Sequence, residues 1–202
     1  MRRVVISGNI GGGKTSQISL LQAYFCNNPD VDIIPEDVEN WIKEGWLENF
    51  YKDKSKYATG FQFRVLQSYR NLPIDNKVQI IERCPNITEH VFSKQLMEDE
   101  AITSGGYRAM KEYNKIHGWL PDIFIYISAS PEMCYKRIDE RSRNEEKSIP
   151  LEYLANLHDK HEAFHDKKLA ETYIIDGTKS KSEIFEEILK IINIKKDKAE
   201  CV

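Results

Sequence analysis

The chain has 202 residues and a formal net charge of −3 at pH 7, which argues against a broad basic surface for nucleic acid. It has no secretory segment, and no apolar run approaches the roughly 18 residues of a membrane-spanning helix. We therefore expect one cytoplasmic domain over 1–202 with a polar tail at 195–202, and neither a nucleic-acid nor a membrane partner. The four cysteines lack paired spacing, which indicates free thiols in a reducing compartment.

Apolar runs of strand length alternate with helical stretches along the chain. Strands are predicted at Val4–Ser7, Val31–Ile34, Val78–Glu82, Ile123–Ser128 and Tyr173–Asp176. Helices are predicted at Lys14–Cys26, Val38–Tyr51, Lys54–Leu72, Ile87–Met97, Tyr107–His117, Pro131–Arg141, Leu151–Lys167 and Ser180–Ile194. This alternation predicts an α/β fold in which a five-stranded parallel sheet is flanked by helices on both faces.

A glycine-rich segment joins the first predicted strand to the first predicted helix. It fits the pattern G-x-x-x-x-G-K-[ST] at every fixed position, through Gly8, Asn9, Ile10, Gly11, Gly12, Gly13, Lys14 and Thr15. Backbone N–H groups and the positive end of a helix would converge there on the β- and γ-phosphates of a nucleotide. Lys14 adds a positive charge, and the Thr15 hydroxyl can reach Mg²⁺. The segment predicts a nucleoside triphosphate site rather than a plain strand-to-helix turn.

Acidic residues end or follow the second and third predicted strands, at the edge of the sheet where the glycine-rich segment also lies. Glu36 could take a proton from an attacking hydroxyl, although a lone acid at a strand end is more often a solvated cap. Glu82 could hold Mg²⁺ through water, and Arg83 could contact a phosphate or orient Glu36. A structural ion pair explains Glu82 and Arg83 equally well. Trp41 by itself indicates core packing more strongly than stacking on a base.

Three arginines, Arg137, Arg141 and Arg143, lie near the end of a predicted helix. They favour a mobile arginine-rich lid over 137–149, which would stabilise charge that spreads during phosphoryl transfer. The alternative is a basic helix end that only interacts with the helix dipole.

Three histidines, His158, His161 and His165, share one face of the next predicted helix. They lack a convincing fourth ligand and alternate with charged residues. The pattern favours a solvated helix surface over a zinc site.

In this order, the motifs resemble the deoxynucleoside kinases related to deoxycytidine, deoxyguanosine and mitochondrial thymidine kinases, including insect and viral members. The resemblance runs from Val4 to about Asp176. It is strongest over Arg137–His161, through Arg141-Ser142-Arg143-Asn144-Glu145-Glu146, Ile149-Pro150-Leu151-Glu152-Tyr153-Leu154 and His158-Asp159-Lys160-His161-Glu162. It implies a P-loop kinase fold, ATP as phosphate donor, Mg²⁺ as cofactor and a homodimer.

The resemblance also implies roles for individual residues. Glu36 resembles the general base, and Glu82 and Arg83 match the Glu-Arg-Ser motif, with Cys84 in place of serine. Asp176 falls in the loop near the donor adenine. The residues that resemble the nucleoside pocket are Trp41 as a wall, Tyr51 and Glu146 on the sugar 3′-hydroxyl, Phe61 and Gln62 at the base, and Phe92 stacked opposite.

Two residues of the part of the pocket that would hold the base, here called the base slot, distinguish this chain from some members of the family it resembles. Relatives that favour deoxycytidine and purines carry an arginine and an aspartate where Tyr69 and Thr88 stand here. With Val65 also in the slot, the bulk of Tyr69 predicts a preference for pyrimidines, thymidine first and deoxycytidine second. A third departure lies outside the slot: Asp37 stands where the family has proline, which predicts a less rigid turn after Glu36.

The sequence thus predicts an ATP- and Mg²⁺-dependent kinase that phosphorylates the 5′-hydroxyl of a deoxyribonucleoside. One alternative is a thymidylate-type monophosphate kinase, but its acceptor pocket needs extra fixed cations, whereas the segment 36–41 is acidic. The other is a regulatory nucleotide-binding module without an acceptor, which leaves Trp41, Gln62 and Phe92 unexplained.

Overall fold

The computed structural model describes residues 1–70, 72, 78–141, 143, 146 and 149–194. Within this part of the chain, five parallel strands form one sheet in the order β2-β3-β1-β4-β5. The strands are β1 (Arg2–Ser7), β2 (Val31–Ile34), β3 (Val78–Glu82), β4 (Ile123–Ser128) and β5 (Glu171–Asp176). The predicted α/β fold with a five-stranded parallel sheet is confirmed. β1 and β5 each begin two residues earlier than predicted, because polar residues there continue the strand pairing.

The helices follow the predicted order. They are α1 (Lys14–Tyr24), α2 (Val38–Lys43), α3 (Trp46–Lys52), α4 (Lys54–Ser68), α5 (Pro85–Ile87), a π-helical turn (Thr88–Ser93), α6 (Lys94–Glu98), α7 (Ser104–His117), α8 (Pro131–Arg141), α9 (Leu151–His165) and α10 (Lys181–Ile192). Apart from two predicted helices that the structure divides, the differences are confined to the helix ends.

The helix predicted at Val38–Tyr51 is interrupted. Gly45 adopts a left-handed conformation with φ of +75°, so α2 ends before it and α3 begins after it. The helix predicted at Ile87–Met97 begins at Pro85, whose missing N–H costs nothing in a first turn, and then widens into the π-helical turn. Both interruptions lie in segments that carry predicted pocket residues.

Buried apolar residues pack on both faces of the sheet. Alternate strand residues point to opposite sides, so Val4 and Ile6 join one cluster and Val5 joins the other. Helices α1 and α10 cover the first cluster, and residues from α2 to α9 cover the second. This arrangement leaves the carboxyl ends of the strands facing the segments that carry the predicted site.

The histidine face of α9 is buried, so the predicted solvated surface is wrong for His161 and His165. Their relative exposures are 0% and 4%, and the two rings stack on Tyr126. Burial lowers the pKa of His161 well below its ordinary value and that of His165 to about 4. Both positions continue the apolar stripe of Leu154 and Leu157, and neutral imidazole fits it. No cluster with the makings of a metal site occurs among the described residues.

The prediction of free thiols is confirmed for Cys84 and Cys134, which are both buried. Cys201 and the predicted tail at 195–202 lie outside the described residues, as do positions 142, 144, 145, 147 and 148 of the predicted lid. Over the part of the chain that is described, no helix is both long and apolar enough to cross a membrane.

The break at Gly45 yields a stability prediction. A Cβ there would lie 3.4 Å from Asn49 Nδ2, so ordinary contact is possible and only the left-handed backbone opposes a side chain. Gly45→Ala should therefore lower the free energy of unfolding by about 1–2 kcal/mol in denaturant titrations. As a control, Gly105→Ala within α7 should leave stability unchanged or raise it by up to about 1 kcal/mol. Equal effects of the two substitutions would contradict this account of the break.

Candidate active site

The glycine-rich loop between β1 and α1 has a backbone that side chains cannot follow. Gly8 has a φ of +150°, and a Cβ on it would lie 2.8 Å from the carbonyl oxygen of Ile127. Gly11 has a φ of +75°, and its Cβ would lie 2.5 Å from the carbonyl oxygen of Cys134. The loop therefore fits closely between β4 and α8 and opens toward the cavity described below.

Asn9 fixes this loop on the side that faces α9. Its Nδ2 donates to the carbonyl oxygen of Leu154 on α9 at 2.8 Å, and its Oδ1 accepts from the N–H of Ile10 at 2.8 Å. Asn9 is 1% exposed and does not line the cavity. Its side chain thus anchors the predicted phosphate loop to α9 rather than facing a ligand.

Lys14 is buried at the start of α1. Its Nζ donates to the carbonyl oxygen of Asn9 at 2.7 Å. Burial, followed by the positive charge of Arg83, lowers the Lys14 pKa to about 8. An anion beside Lys14 would favour the charged ammonium, so the lysine is suited to a phosphate ligand.

Thr15 and Glu82 meet at the edge of the cavity. The Thr15 hydroxyl donates to Glu82 Oε1 at 2.9 Å, which joins the end of β3 to the first turn of α1. Hydroxyl and carboxylate oxygens are the hard ligands that Mg²⁺ prefers, and Mg²⁺ commonly takes one or two of them with water and phosphate. The donor set at this corner therefore fits the predicted Mg²⁺ site.

Glu36 and Arg83 form a buried ion pair. The guanidinium donates to Glu36 Oε2, and the two side chains are 10% and 9% exposed. Burial opposes the charge of Arg83, yet Glu36 and Glu82 outweigh it and raise the Arg83 pKa. Arg83 has a φ of +61°, and its N–H bonds to the carbonyl oxygen of Ile6 at 3.0 Å. Its guanidinium carbon lies 4.7 Å from the ring centre of Phe92. Glu36 is thus held in a charged pair and is not a solvated cap.

The three arginines of the predicted lid have different partners. Arg137 donates to the carbonyl oxygen of Gly177 at 3.0 Å and so holds the turn after β5. Arg141 and Arg143 both donate to the carboxylate of Glu146, with 2.9 Å between Arg143 Nη1 and Glu146 Oε1. Glu146 itself is 6% exposed. The residues expected to contact phosphate and sugar are therefore paired with each other here.

A cavity of about 970 Å³ joins these groups to an aromatic pocket. Its lining includes the glycine-rich loop from Ile10, with Thr15, Arg137, Glu36, Glu82 and Arg83. It also includes the predicted pocket residues Trp41, Tyr51, Phe61, Gln62, Val65, Thr88, Phe92 and Glu146. Glu82 bonds Thr15 and Arg83 lies over Phe92, so the two residues at the end of β3 contact both groups. Trp41 and Phe61 meet edge to face with ring centres 5.5 Å apart. Trp41 is 3% exposed, so it belongs to the core and to the cavity wall.

Polar groups in the aromatic end are few and oriented. Gln62 Oε1 accepts from the Ser93 hydroxyl at 3.3 Å, and both residues are buried. Burial, with smaller contributions from Tyr153 and Glu146, raises the Tyr51 pKa, so its phenol stays protonated as a hydrogen-bond donor. A flat apolar ligand with a polar edge and a hydroxyl group suits this end.

Four residues predicted for the site do not line the cavity. They are Gly8 and Asn9, which support the loop, together with Tyr69 and Asp176. Tyr69 caps the end of α4 and packs edge to face against Trp119, at 6.4 Å between ring centres. Asp176 is exposed and accepts from the N–H of Thr178 at 2.8 Å, so it caps its own turn.

Two aromatic residues that the sequence reading missed also line the cavity. Phe50 packs on Phe61 with ring centres 5.1 Å apart, and Tyr153 comes from the first turn of α9. Tyr153 lies one helical turn before Leu157 in the predicted helix, which was the available signal. Phe50 offered none beyond its apolar character, because the break at Gly45 reorients α3.

Comparisons with known proteins agree with this geometry. The model of the deoxynucleoside kinase family matches residues 4–196. A probable deoxycytidine kinase of Fowlpox virus is 33% identical over 170 residues, covering 80% of this chain and 70% of that protein. A thymidine kinase of Ictalurid herpesvirus 1 is 28% identical over 195 residues, covering 93% and 84%.

A solved structure shows the same fold. The deoxyadenosine kinase from M. mycoides, bound to dCMP and a flexible dCDP, aligns with a TM-score of 0.81 at 22% identity. The alignment covers 95% of this chain and 98% of that one. Because the family model spans nearly the whole chain, the protein belongs to the deoxynucleoside kinase family of enzymes.

Proposed function

We propose that this protein transfers the γ-phosphoryl group of ATP to the 5′-hydroxyl of a deoxyribonucleoside. The observation that carries the proposal is the position of Glu36. Its carboxylate lines the cavity that the phosphate loop and the aromatic pocket share, and it pairs with Arg83, which lies over Phe92 of that pocket. An acceptor hydroxyl would meet a donor phosphate beside this carboxylate. Family membership favours neither a monophosphate kinase nor a regulatory module.

The donor half of the cavity supports charge neutralisation. Lys14 and the loop N–H groups would bind the β- and γ-phosphates, and Thr15 and Glu82 would hold Mg²⁺. The ion would neutralise negative charge on the donor phosphates. Arg141 and Arg143 would leave Glu146 and stabilise the charge that spreads over the transferred group, as a lid would.

The acceptor half supports binding of a nucleoside. Tyr51, together with Glu146 once its arginines turn to phosphate, would bond the sugar 3′-hydroxyl. Glu36, oriented by Arg83, would accept the 5′-hydroxyl proton as the oxygen attacks phosphorus. Trp41 and Phe92 would enclose the base while Gln62 bonds its edge.

We further propose a preference for pyrimidines, thymidine before deoxycytidine. Because Tyr69 lies behind the cavity wall, the choice of base rests on Gln62, Val65 and Thr88, which line it. A homodimer and a cytoplasmic location remain predictions from the sequence.

Glu36→Gln tests whether Glu36 is the general base. The substitution keeps shape and one hydrogen bond, so KM for the nucleoside should stay within about threefold while kcat falls by about 10²–10⁴. Glu48→Gln, an exposed residue of α3 that does not line the cavity, makes the same change of charge and is the control; it should retain wild-type kcat. A Glu36→Gln enzyme with more than a tenth of the wild-type kcat would exclude general-base catalysis by Glu36.

The lowered pKa of Lys14 predicts that ATP affinity depends on pH. Free enzyme loses the Lys14 charge as pH rises through about 8, whereas bound phosphates favour the charged form. Affinity should therefore fall above pH 8, and near pH 9 binding should take up about one proton. Calorimetry in buffers of different ionisation heat measures this uptake. Lys14→Arg, which stays charged, should abolish it; equal uptake by that variant would exclude Lys14 as the source.

A competition assay with all four deoxynucleosides tests base selection. Thymidine and deoxycytidine should exceed the purines in kcat/KM by at least about tenfold, or roughly 1.4 kcal/mol. Thr88→Ala makes room near the base. Because thymidine carries a 5-methyl group, its kcat/KM should rise relative to that of deoxycytidine. A purine in first place, or no change in the ratio with Thr88→Ala, would remove these residues from base selection.

A further inference from the structure

An arginine outside the cavity joins two of the elements that build it. Arg64 lies on α4, and its guanidinium contacts two acids on either side of α2. Nη2 donates to Asp37 Oδ2 at 3.1 Å, while Nε and Nη2 donate to the Glu44 carboxylate at 2.8 and 2.9 Å. Arg64 thus holds the beginning and the end of α2 at once.

Asp37 is the residue through which this contact reaches the site. It follows Glu36 directly and caps α2, and its other carboxylate oxygen accepts from Asn40 Nδ2 at 2.6 Å. On the other side of Glu36, Ile34 pairs with Ile81 in the sheet. The three residues between β2 and α2 are therefore held at one end by the sheet and at the other by Asp37.

The same helix also contributes to the acceptor pocket. Phe61, Gln62 and Val65 of α4 line the cavity, whereas Arg64 turns to its outer side, with a side chain 21% exposed. A contact from Arg64 to Asp37 consequently relates the position of Gln62 to that of Glu36. The turn that the sequence predicts to be loose is held by an ion pair instead.

We infer that Arg64 is a positioning residue: acting through Asp37, it holds the Glu36 carboxylate at a set distance from the nucleoside bound on α4. The inference rests on the proposed role of Glu36. Loss of the contact would let the turn at Asp37 move, and a small displacement of a reacting group lowers the rate more than it weakens binding.

Arg64→Met removes the donors and keeps the apolar stem. In single-turnover assays with enzyme in excess, the rate constant for phosphoryl transfer should fall about ten- to thirtyfold, with nucleoside Kd within about threefold. Arg64→Lys should recover part of the rate. Arg108→Met, which removes an exposed arginine of α7, is the matched control and should leave the rate unchanged.

Coupling to Glu36 separates positioning from a general loss of structure. If Arg64 positions the Glu36 carboxylate, Glu36→Gln should lower the rate constant for phosphoryl transfer by a factor at least about ten times smaller in the Arg64→Met enzyme than in the wild type. Asp37→Asn alone should lower the rate constant as much as Arg64→Met does, and the double variant should be little slower than either single variant. Glu44→Gln should lower the rate constant less. Additive losses, an unchanged rate in Arg64→Met, or a larger effect of Glu44→Gln would overturn the inference. A wild-type background insensitive to Glu36→Gln would instead refute the proposed function.

Discussion

The buried pair of Arg83 and Glu36 is the interaction on which the site depends. Arg83 reaches it through a left-handed backbone fixed to β1, and its guanidinium also lies over Phe92. Arg83 thereby contacts the sheet, the candidate general base Glu36 and the aromatic wall of the pocket. A buried arginine without an acid would be costly, so the pair holds Glu36 in the wall of the cavity.

The cationic side chains around this pair are hydrogen-bonded within the free protein. Lys14 bonds a loop carbonyl, and Arg141 and Arg143 share Glu146. We propose that each of these contacts is exchanged for a phosphate or a hydroxyl of a substrate, since Lys14, Arg141, Arg143 and Glu146 line the same cavity. His161 and His165 of α9 stay neutral, because burial lowers their pKa values, and so they add no charge to the site.

The sequence predicted the sheet and the phosphate loop because both are encoded locally. Apolar runs located β2, β3 and β4 to the residue, and the glycine pattern located the loop. It could not predict features that depend on packing. The π-helical turn, the burial of His161 and the contact of Arg64 with Asp37, 27 residues away, arise only when the helices meet. The place of Tyr69 also depends on packing, since it is buried and lies behind residues that line the cavity.

The acceptor distinguishes a nucleoside kinase from a nucleotide kinase, and we propose a nucleoside. The most direct measurement incubates the protein with ATP, Mg²⁺ and either thymidine and deoxycytidine or their 5′-monophosphates, and identifies the products by mass spectrometry. We expect 5′-monophosphates from the nucleosides and no diphosphates from the monophosphates, because Glu36, Asp37 and Glu39, which line the cavity, would repel an acceptor phosphate. Efficient formation of diphosphates, or no transfer to any deoxynucleoside, would contradict it.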